Sequence, residues 1–218
     1  ISDKFKDRLF IPAGTNQIAD VVDTVVSKAV KKGYDMRDIQ VLAPIYRGPA
    51  GINTLNQLLQ RILNPEAADK SELQFGDKVY RTGDKVIQLI NRTEDNIFNG
   101  DSGIIDGIYF KDKDDVDKDT LVVDYDNTKI AYERSDLTEL SHAYCTSIHK
   151  AQGSEYPIVI MPIVSSYYHM LMKNIIYTGI TRAKESLILC GDANAFYGAI
   201  KREGIPRNTM LQQFLQKY

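Results

Sequence analysis

Ile39-Gln40-Val41-Leu42-Ala43-Pro44-Ile45-Tyr46-Arg47-Gly48-Pro49-Ala50-Gly51-Ile52 is the stretch on which the fold turns. Residues 39–44 form an apolar run of strand length, and a Gly/Pro loop follows. Ile52, Leu55, Leu58, Leu59 and Ile62 then recur at helical spacing until Asn64-Pro65 stops the helix. Upstream the same order appears. Residues 8–12 make a short apolar strand, and Thr15 is the expected N-cap of a second helix. That helix carries Ile18, Val21, Val22, Val25, Val26, Ala29 and Val30 on its apolar face and closes on Lys31-Lys32-Gly33. Strand, helix, strand, helix at this spacing predicts βαβ units on a parallel sheet.

Downstream the texture changes near Gly76. Between there and residue 140 helical periodicity is absent. Short β-rich runs recur instead at 85–90, 103–110, 120–125 and 128–132. Turn signals separate them: Thr82-Gly83-Asp84, Asn99-Gly100-Asp101 and Asp126-Asn127. The mixed-charge run 111–119 reads as a solvated hairpin tip. Such a pattern predicts a small antiparallel barrel of about five strands. Buried-type strands return at 143–148 and 157–162, then a helix over 166–183, a strand at 186–190, and helices at 192–202 and 208–218. The expected plan is an α/β domain, residues 1–75 and 141–218, interrupted by an all-β module at 76–140.

Composition narrows the classes. The chain has 218 residues, 26% charged and 43% hydrophobic, with a formal net charge of −2. That is ordinary globular composition, long enough to bury a core, and it is not a disordered tail. No run reaches the apolar length of a membrane span, so no membrane partner is expected. There is no initiator Met and no apolar signal core, which raises the expectation of a piece of a longer protein. Cys145 and Cys190 lie inside apolar runs and are expected as buried free thiols. Three histidines and two cysteines at scattered positions give no metal-ligand spacing, and no carboxylate cluster suits a two-metal nuclease.

Three segments carry chemistry. In Thr146-Ser147-Ile148-His149-Lys150-Ala151-Gln152-Gly153-Ser154-Glu155 an apolar strand opens into a polar stretch, where open α/β sheets bind ligands. Gly153 would let a backbone N–H approach a phosphate oxygen, and Glu155 would accept from a ribose hydroxyl. In Asn174-Ile175-Ile176-Tyr177-Thr178-Gly179-Ile180-Thr181-Arg182-Ala183-Lys184 an amphipathic helix ends in cations. There Arg182 is suited to clamp a transferring γ-phosphoryl group. In the loop 43–51, backbone N–H groups and Arg47 are suited to hold a phosphate. Each has a plain alternative: a solvated turn, cations complementing a helix dipole, a rigid Gly/Pro turn.

Together, in this order, they are more specific. The sequence resembles the C-terminal motor domain of the superfamily-one DNA helicases, 5′→3′ branch, RecD-like family. Thr146 to Glu155 resembles motif V through its His-Lys-x-Gln-Gly-Ser-Glu core. Tyr177 to Lys184 resembles motif VI through Tyr-Thr-x-Ile-Thr-Arg-Ala-Lys. Residues 75–140 resemble the inserted Src-homology-three-type barrel, subdomain 2B, of a RecA-like domain 2A. The resemblance implies an arginine finger at Arg182 reaching the γ-phosphate of ATP. It puts Gly153 near that phosphate, Glu155 near the ribose, and Gln152 between nucleotide and strand. Thr146, His149 and Arg47 would face the backbone of single-stranded DNA, and the barrel would touch the strand or support duplex separation at a junction. It also implies a cytoplasmic enzyme of DNA repair, acting by default as a monomer.

The sequence contains neither a Gly-Lys pair, which a P-loop requires, nor an Asp-Glu pair. ATP and Mg²⁺ are therefore expected to be held mainly by an N-terminal motor domain of the same polypeptide, and this chain alone is expected to be inactive as an ATPase. The competing reading is a stand-alone nucleic-acid- or protein-binding module built on the barrel. Its aromatic residues Tyr109, Phe110, Tyr125 and Tyr132 suit core or cross-strand positions better than a peptide groove.

Overall fold

The structure is a computed structural model and describes residues 7–202. Its first layer is an all-parallel sheet of five strands: β1 (Arg8–Pro12), β2 (Ile39–Ala43), β10 (Cys145–Ser147), β11 (Tyr156–Ile163) and β12 (Ala183–Gly191). They lie in the order β1-β12-β11-β2-β10. Every residue of β2 is buried, as a strand covered on both faces requires. The covering helices are α1 (Ile18–Lys31), α2 (Ile52–Leu63), α3 (Lys173–Ile180) and α4 (Ala193–Lys201). Phe10 packs its ring on Phe196 of α4, while its neighbours Leu9 and Ile11 line a groove against α1. Alternation along β1 therefore puts α1 and α4 on opposite faces.

The second layer is antiparallel. A hairpin, β3 (Glu72–Phe75) and β4 (Lys78–Arg81), precedes a sheet of β5 (Lys85–Gln88), β6 (Ser102–Tyr109), β7 (Thr120–Tyr125), β8 (Thr128–Glu133) and β9 (Leu140–His142). The order is β8-β7-β6-β5-β9. It has its own apolar core, built on Tyr80, Ile105, Leu121, Tyr132 and Leu140, separate from that of the parallel sheet. The chain is thus mixed α/β, with a parallel sheet flanked by helices and an antiparallel module within it.

Several local expectations change. Thr15 does not cap α1. It opens a 3-10 turn, Thr15–Gln17, and the Gln17 side chain accepts from the Gly14 N–H at 2.9 Å. The hairpin Glu72–Arg81 is additional to the expected runs. The strand expected at 143–148 is present but shorter, Cys145–Ser147 in the parallel sheet, and the residues just before it, Leu140–His142, join the antiparallel sheet. Between them the chain changes layers, and Asn56 receives it: Asn56 Oδ1 accepts from Cys145 N–H at 2.8 Å and its Nδ2 donates to Cys145 O at 2.9 Å. The helix expected over 166–183 shrinks to Lys173–Ile180. Tyr167 and Leu171, both buried, pin a 3-10 turn and a bend ahead of it, and Ala183 already pairs with Tyr156 in the sheet. Asp192 caps α4, accepting from Asn194 N–H at 2.8 Å. The helix expected at 208–218 lies outside the described residues.

Candidate functional site

Because all five strands of the first sheet run parallel, their starts share one edge and their ends the other. Arg182 sits immediately before β12, at the strand-start edge. The loop 153–155 sits immediately before β11, on the same edge and next to it. Tyr156 N–H donates to Arg182 O at 2.9 Å, which locks the two segments together. The Arg182 guanidinium donates to three neutral oxygens: Thr178 O at 3.2 Å, Ser154 O at 3.0 Å and Thr181 Oγ1 at 3.0 Å. Among the described residues its charge has no carboxylate partner. The nearby carboxylate, Glu155, pairs with Lys184 instead, at 3.5 Å between two half-exposed side chains. Gly153 is exposed at φ +89°, with nothing within 4 Å of the place a Cβ would take. This left-handed, open glycine leaves room for a ligand's oxygens against the backbone. Gln152 is exposed beside it, its N–H donating to His149 O.

Thr146, His149 and Arg47 belong to the opposite, strand-end edge. Arg47 is exposed in the loop after β2, and His149 is exposed just after β10. Thr146 is 7% exposed, its Oγ1 accepting from Gln40 Nε2 at 3.3 Å. Thr146–Glu155 was expected to place one ligand-binding stretch at a strand end. Instead no helix follows β10, and the chain crosses by successive turns from the strand-end edge to the strand-start edge. The structure brings Arg182, Gly153 and Glu155 together and leaves Thr146, His149 and Arg47 as a second group.

Next to His149, Lys150 Nζ donates to Asn99 Oδ1 of the antiparallel module at 2.9 Å, and burial lowers its pKa. Phe98 and Tyr46 are exposed aromatic side chains on the two flanking loops. Burial pushes the Cys145 thiol upward and Cys190 to about 12, so both stay protonated and unreactive. Among the described residues no group of three or more His, Cys, Asp or Glu side chains could hold a metal.

Sequence reasoning missed the polar centre that joins the layers. Asp84 is fully buried. Its Oδ1 accepts from Asn64 Nδ2 at 2.7 Å and Tyr144 OH at 2.8 Å. Its Oδ2 accepts from Gln60 Nε2 at 2.6 Å and Arg81 N–H at 2.8 Å, and lies 3.1 Å from His142 Nε2. One signal was present: Asn56, Gln60 and Asn64 recur every four residues, a stripe of amides along α2 beside its apolar face. All three are buried, and Gln60 and Asn64 end on Asp84.

Comparison with known proteins identifies the family. The model of the ATP-dependent RecD-like DNA helicase SH3 domain matches residues 55–125, and that of the UvrD-like helicase C-terminal domain matches residues 142–190. The ATP-dependent RecD2 DNA helicase of Deinococcus radiodurans is 31% identical over 180 residues, which is 83% of this chain and 24% of that protein. The RecBCD enzyme subunit RecD of Buchnera aphidicola subsp. Schizaphis graminum is 27% identical over 151 residues, 68% of this chain and 24% of its own length. The chain spans about a quarter of the length of these curated relatives. Among solved structures, the Pif1 helicase from Bacteroides in complex with ADP-AlF3 and ssDNA aligns with 94% of this chain and 52% of its own. The TM-score is 0.51 at 17% identity, a likeness of fold.

Proposed function

This chain is a C-terminal region of a RecD-like superfamily-one helicase, and from that premise we propose that it supplies one half of a DNA-dependent ATPase motor. In this reading residues 1–75 and 141–218 form the second RecA-like domain and residues 76–140 its inserted barrel. A P-loop domain of the same polypeptide holds ATP and Mg²⁺, a reading supported by the lack of any Gly-Lys pair in this sequence. Arg182 is the arginine finger, stabilising charge on the γ-phosphoryl group as it transfers to water. Gly153 borders the phosphates, Glu155 the ribose, and Gln152 links the nucleotide edge to the strand. Thr146, His149 and Arg47 contact the phosphates of single-stranded DNA, and the barrel lies against the strand or the duplex junction. The whole enzyme translocates 5′→3′ as a monomer in the cytoplasm and serves DNA repair.

One observation supports this reading above the others. The Arg182 guanidinium rests on three neutral oxygens and no carboxylate, beside an open glycine loop. A guanidinium has five N–H donors, and its charge here is unneutralised, so an incoming phosphate gains a full ionic partner without breaking a salt bridge. In the full-length enzyme, Arg182→Ala is expected to lower ATP turnover by about 10³-fold or more, while ATP affinity stays within a few-fold. Equal turnover in variant and parent refutes the finger. The 218-residue chain alone is expected to show no DNA-stimulated hydrolysis, and a measured activity that purifies with it refutes the division of labour.

A further inference from the structure

Gln40 lies on β2 next to the strand that carries Thr146, and it is 1% exposed. Its carboxamide is fixed from both ends. Oε1 accepts from Lys85 Nζ at 3.1 Å, and an ammonium group has donors only. Nε2 faces Val41 O at 3.1 Å, Ala143 O at 3.2 Å and Tyr144 O at 3.3 Å, which are acceptors only. Turning the amide over would set donor against donor at one end and oxygen against oxygen at the other. The same Nε2 meets Thr146 Oγ1 at 3.3 Å. Thr146 is therefore an acceptor towards Gln40, and its single hydroxyl hydrogen is directed elsewhere. Among the described residues that hydrogen meets no acceptor. A buried-edge donor with its capacity unspent, one strand residue from the edge that carries His149, is set for an acceptor from outside the chain.

We infer that Gln40, held by Lys85, is a positioning residue that aims the Thr146 hydroxyl hydrogen at a phosphate oxygen of bound single-stranded DNA. The inference rests on the proposed reading of Thr146 and His149 as DNA contacts and extends it to two residues outside both helicase motifs. Lys85 is the first residue of β5, so the antiparallel module reaches into the parallel sheet to set this polarity. Its other neighbours hold the ammonium in place, and the two nearby carboxylates offset part of the cost of burying it. Met36 O accepts from Nζ at 3.1 Å, the Tyr156 ring lies 5.1 Å away, and Asp35 and Asp38 act on it through space. Arg37, Asp124, Asp126 and Glu155 line the cleft of about 540 Å³ that it floors.

The test is a mutant cycle in the full-length protein, read as affinity for a dye-labelled oligothymidylate at fixed salt. Thr146→Val removes the donor and is expected to weaken binding about 10-fold, as for one hydrogen bond to a charged acceptor. Thr146→Ser retains affinity. Gln40→Met is expected to weaken binding as much as Thr146→Val, and the double variant no further than either alone. Lys85→Met costs about threefold in the parent and nothing in the Thr146→Val background. Gln40→Glu is the second route should Gln40→Met unfold. It keeps the Lys85 partner but has no donor, so Thr146 must donate inward and the affinity loss recurs. Gln40→Met binding like the parent while Thr146→Val is weak overturns the inference and leaves the DNA reading standing. Losses that multiply in the double variant also overturn it. If His149→Ala weakens binding and Thr146→Val does not, the relay is refuted alone. If neither weakens it, the DNA reading falls with it.

Discussion

Replacing Asp84 by alanine is expected to be strongly destabilising although Asp84 belongs to neither apolar core. Five donors converge on its two oxygens: Asn64, Tyr144, Gln60, Arg81 N–H and His142. They come from α2, the β4–β5 turn and the crossing between β9 and β10. Each buried donor left without a partner costs about 1–3 kcal/mol, so a simple sum is about 5–15 kcal/mol. That sum is an upper bound, because one or two waters can enter the vacated space and each can satisfy two to four of these groups. A loss of about 4 kcal/mol is the working expectation, in line with breaking other buried charged networks. Against a total stability of about 5–15 kcal/mol this is a large fraction. With an m value of about 2 kcal/mol/M, the urea midpoint of the 218-residue chain should fall by roughly 2 M. The chain contains its own control. Gly76-Asp77-Lys78-Val79 repeats Gly83-Asp84-Lys85-Val86, but Asp77 is an exposed turn residue. Asp77→Ala should shift stability by no more than about 0.5 kcal/mol. Urea unfolding followed by circular dichroism checks both. Similar midpoints for the two variants, or a shift under about 0.5 M for Asp84→Ala, would refute the reasoning.

The remaining predictions come from single contacts. The Tyr167 hydroxyl is buried without a hydrogen-bond partner among the described residues, so Tyr167→Phe should be neutral or stabilising by up to about 1 kcal/mol. A thermal midpoint lowered by several degrees would contradict it. Gly191 ends β12 at φ +135°, and a Cβ there would lie 1.9 Å from Ile163 O, so Gly191→Ala should cost more than about 3 kcal/mol and abolish cooperative unfolding. Burial lowers Lys85 from 10.5 to about 8, so the folded chain releases this proton before the unfolded chain does. The unfolded state then binds more protons between those values, and stability from this group rises with pH above about 8; the penalty is fully present below it. Urea unfolding of parent and Lys85→Met from about pH 7 to 9.5 should show the parent gaining on the variant, and parallel profiles would contradict the assignment.

What the sequence revealed and what it hid follow from the range of the interactions. Helices α1 and α2 and strands β7 and β8 carry their periodicity in neighbouring residues, so their type was legible. The antiparallel texture was legible for the same reason. The change of layer at Ala143-Tyr144 was not, because only distant partners mark it: Tyr144 is drawn to Asp84, and Cys145 to Asn56. The Asp84 segment reads only as a turn, because Gly-Asp marks a turn anywhere and says nothing of its burial. What buries it is a row of amides about twenty residues upstream, whose chemistry has no local signature. The two copies of Gly-Asp-Lys-Val make the point by themselves, since one motif has one solvated and one buried fate.

The candidate site shows the same limit in a form that bears on mechanism. Thr146 and Glu155 are close in sequence, within one motif, although the resemblance assigns them different ligands, the DNA backbone and the ribose. The sheet register separates them. Ser147 is level with Ala43, and Ile158 is level with Ile39, which sets Tyr156 about six strand residues lower, roughly 20 Å along the sheet. The intervening chain is not slack. Lys150 N–H donates to Ser147 O, Gln152 N–H to His149 O and Ser154 N–H to Ala151 O, and Ile148 and Ala151 are buried beneath these turns. At one end Gln40 fixes Thr146, and at the other Arg182 O fixes Tyr156. A segment with both ends tied and its middle packed transmits a displacement instead of absorbing it. On the proposed reading, the arginine finger and the DNA-facing histidine then sit at the two ends of one stiff strap. A nucleotide that draws Arg182 off the Ser154 carbonyl pulls on that strap at its nucleotide end.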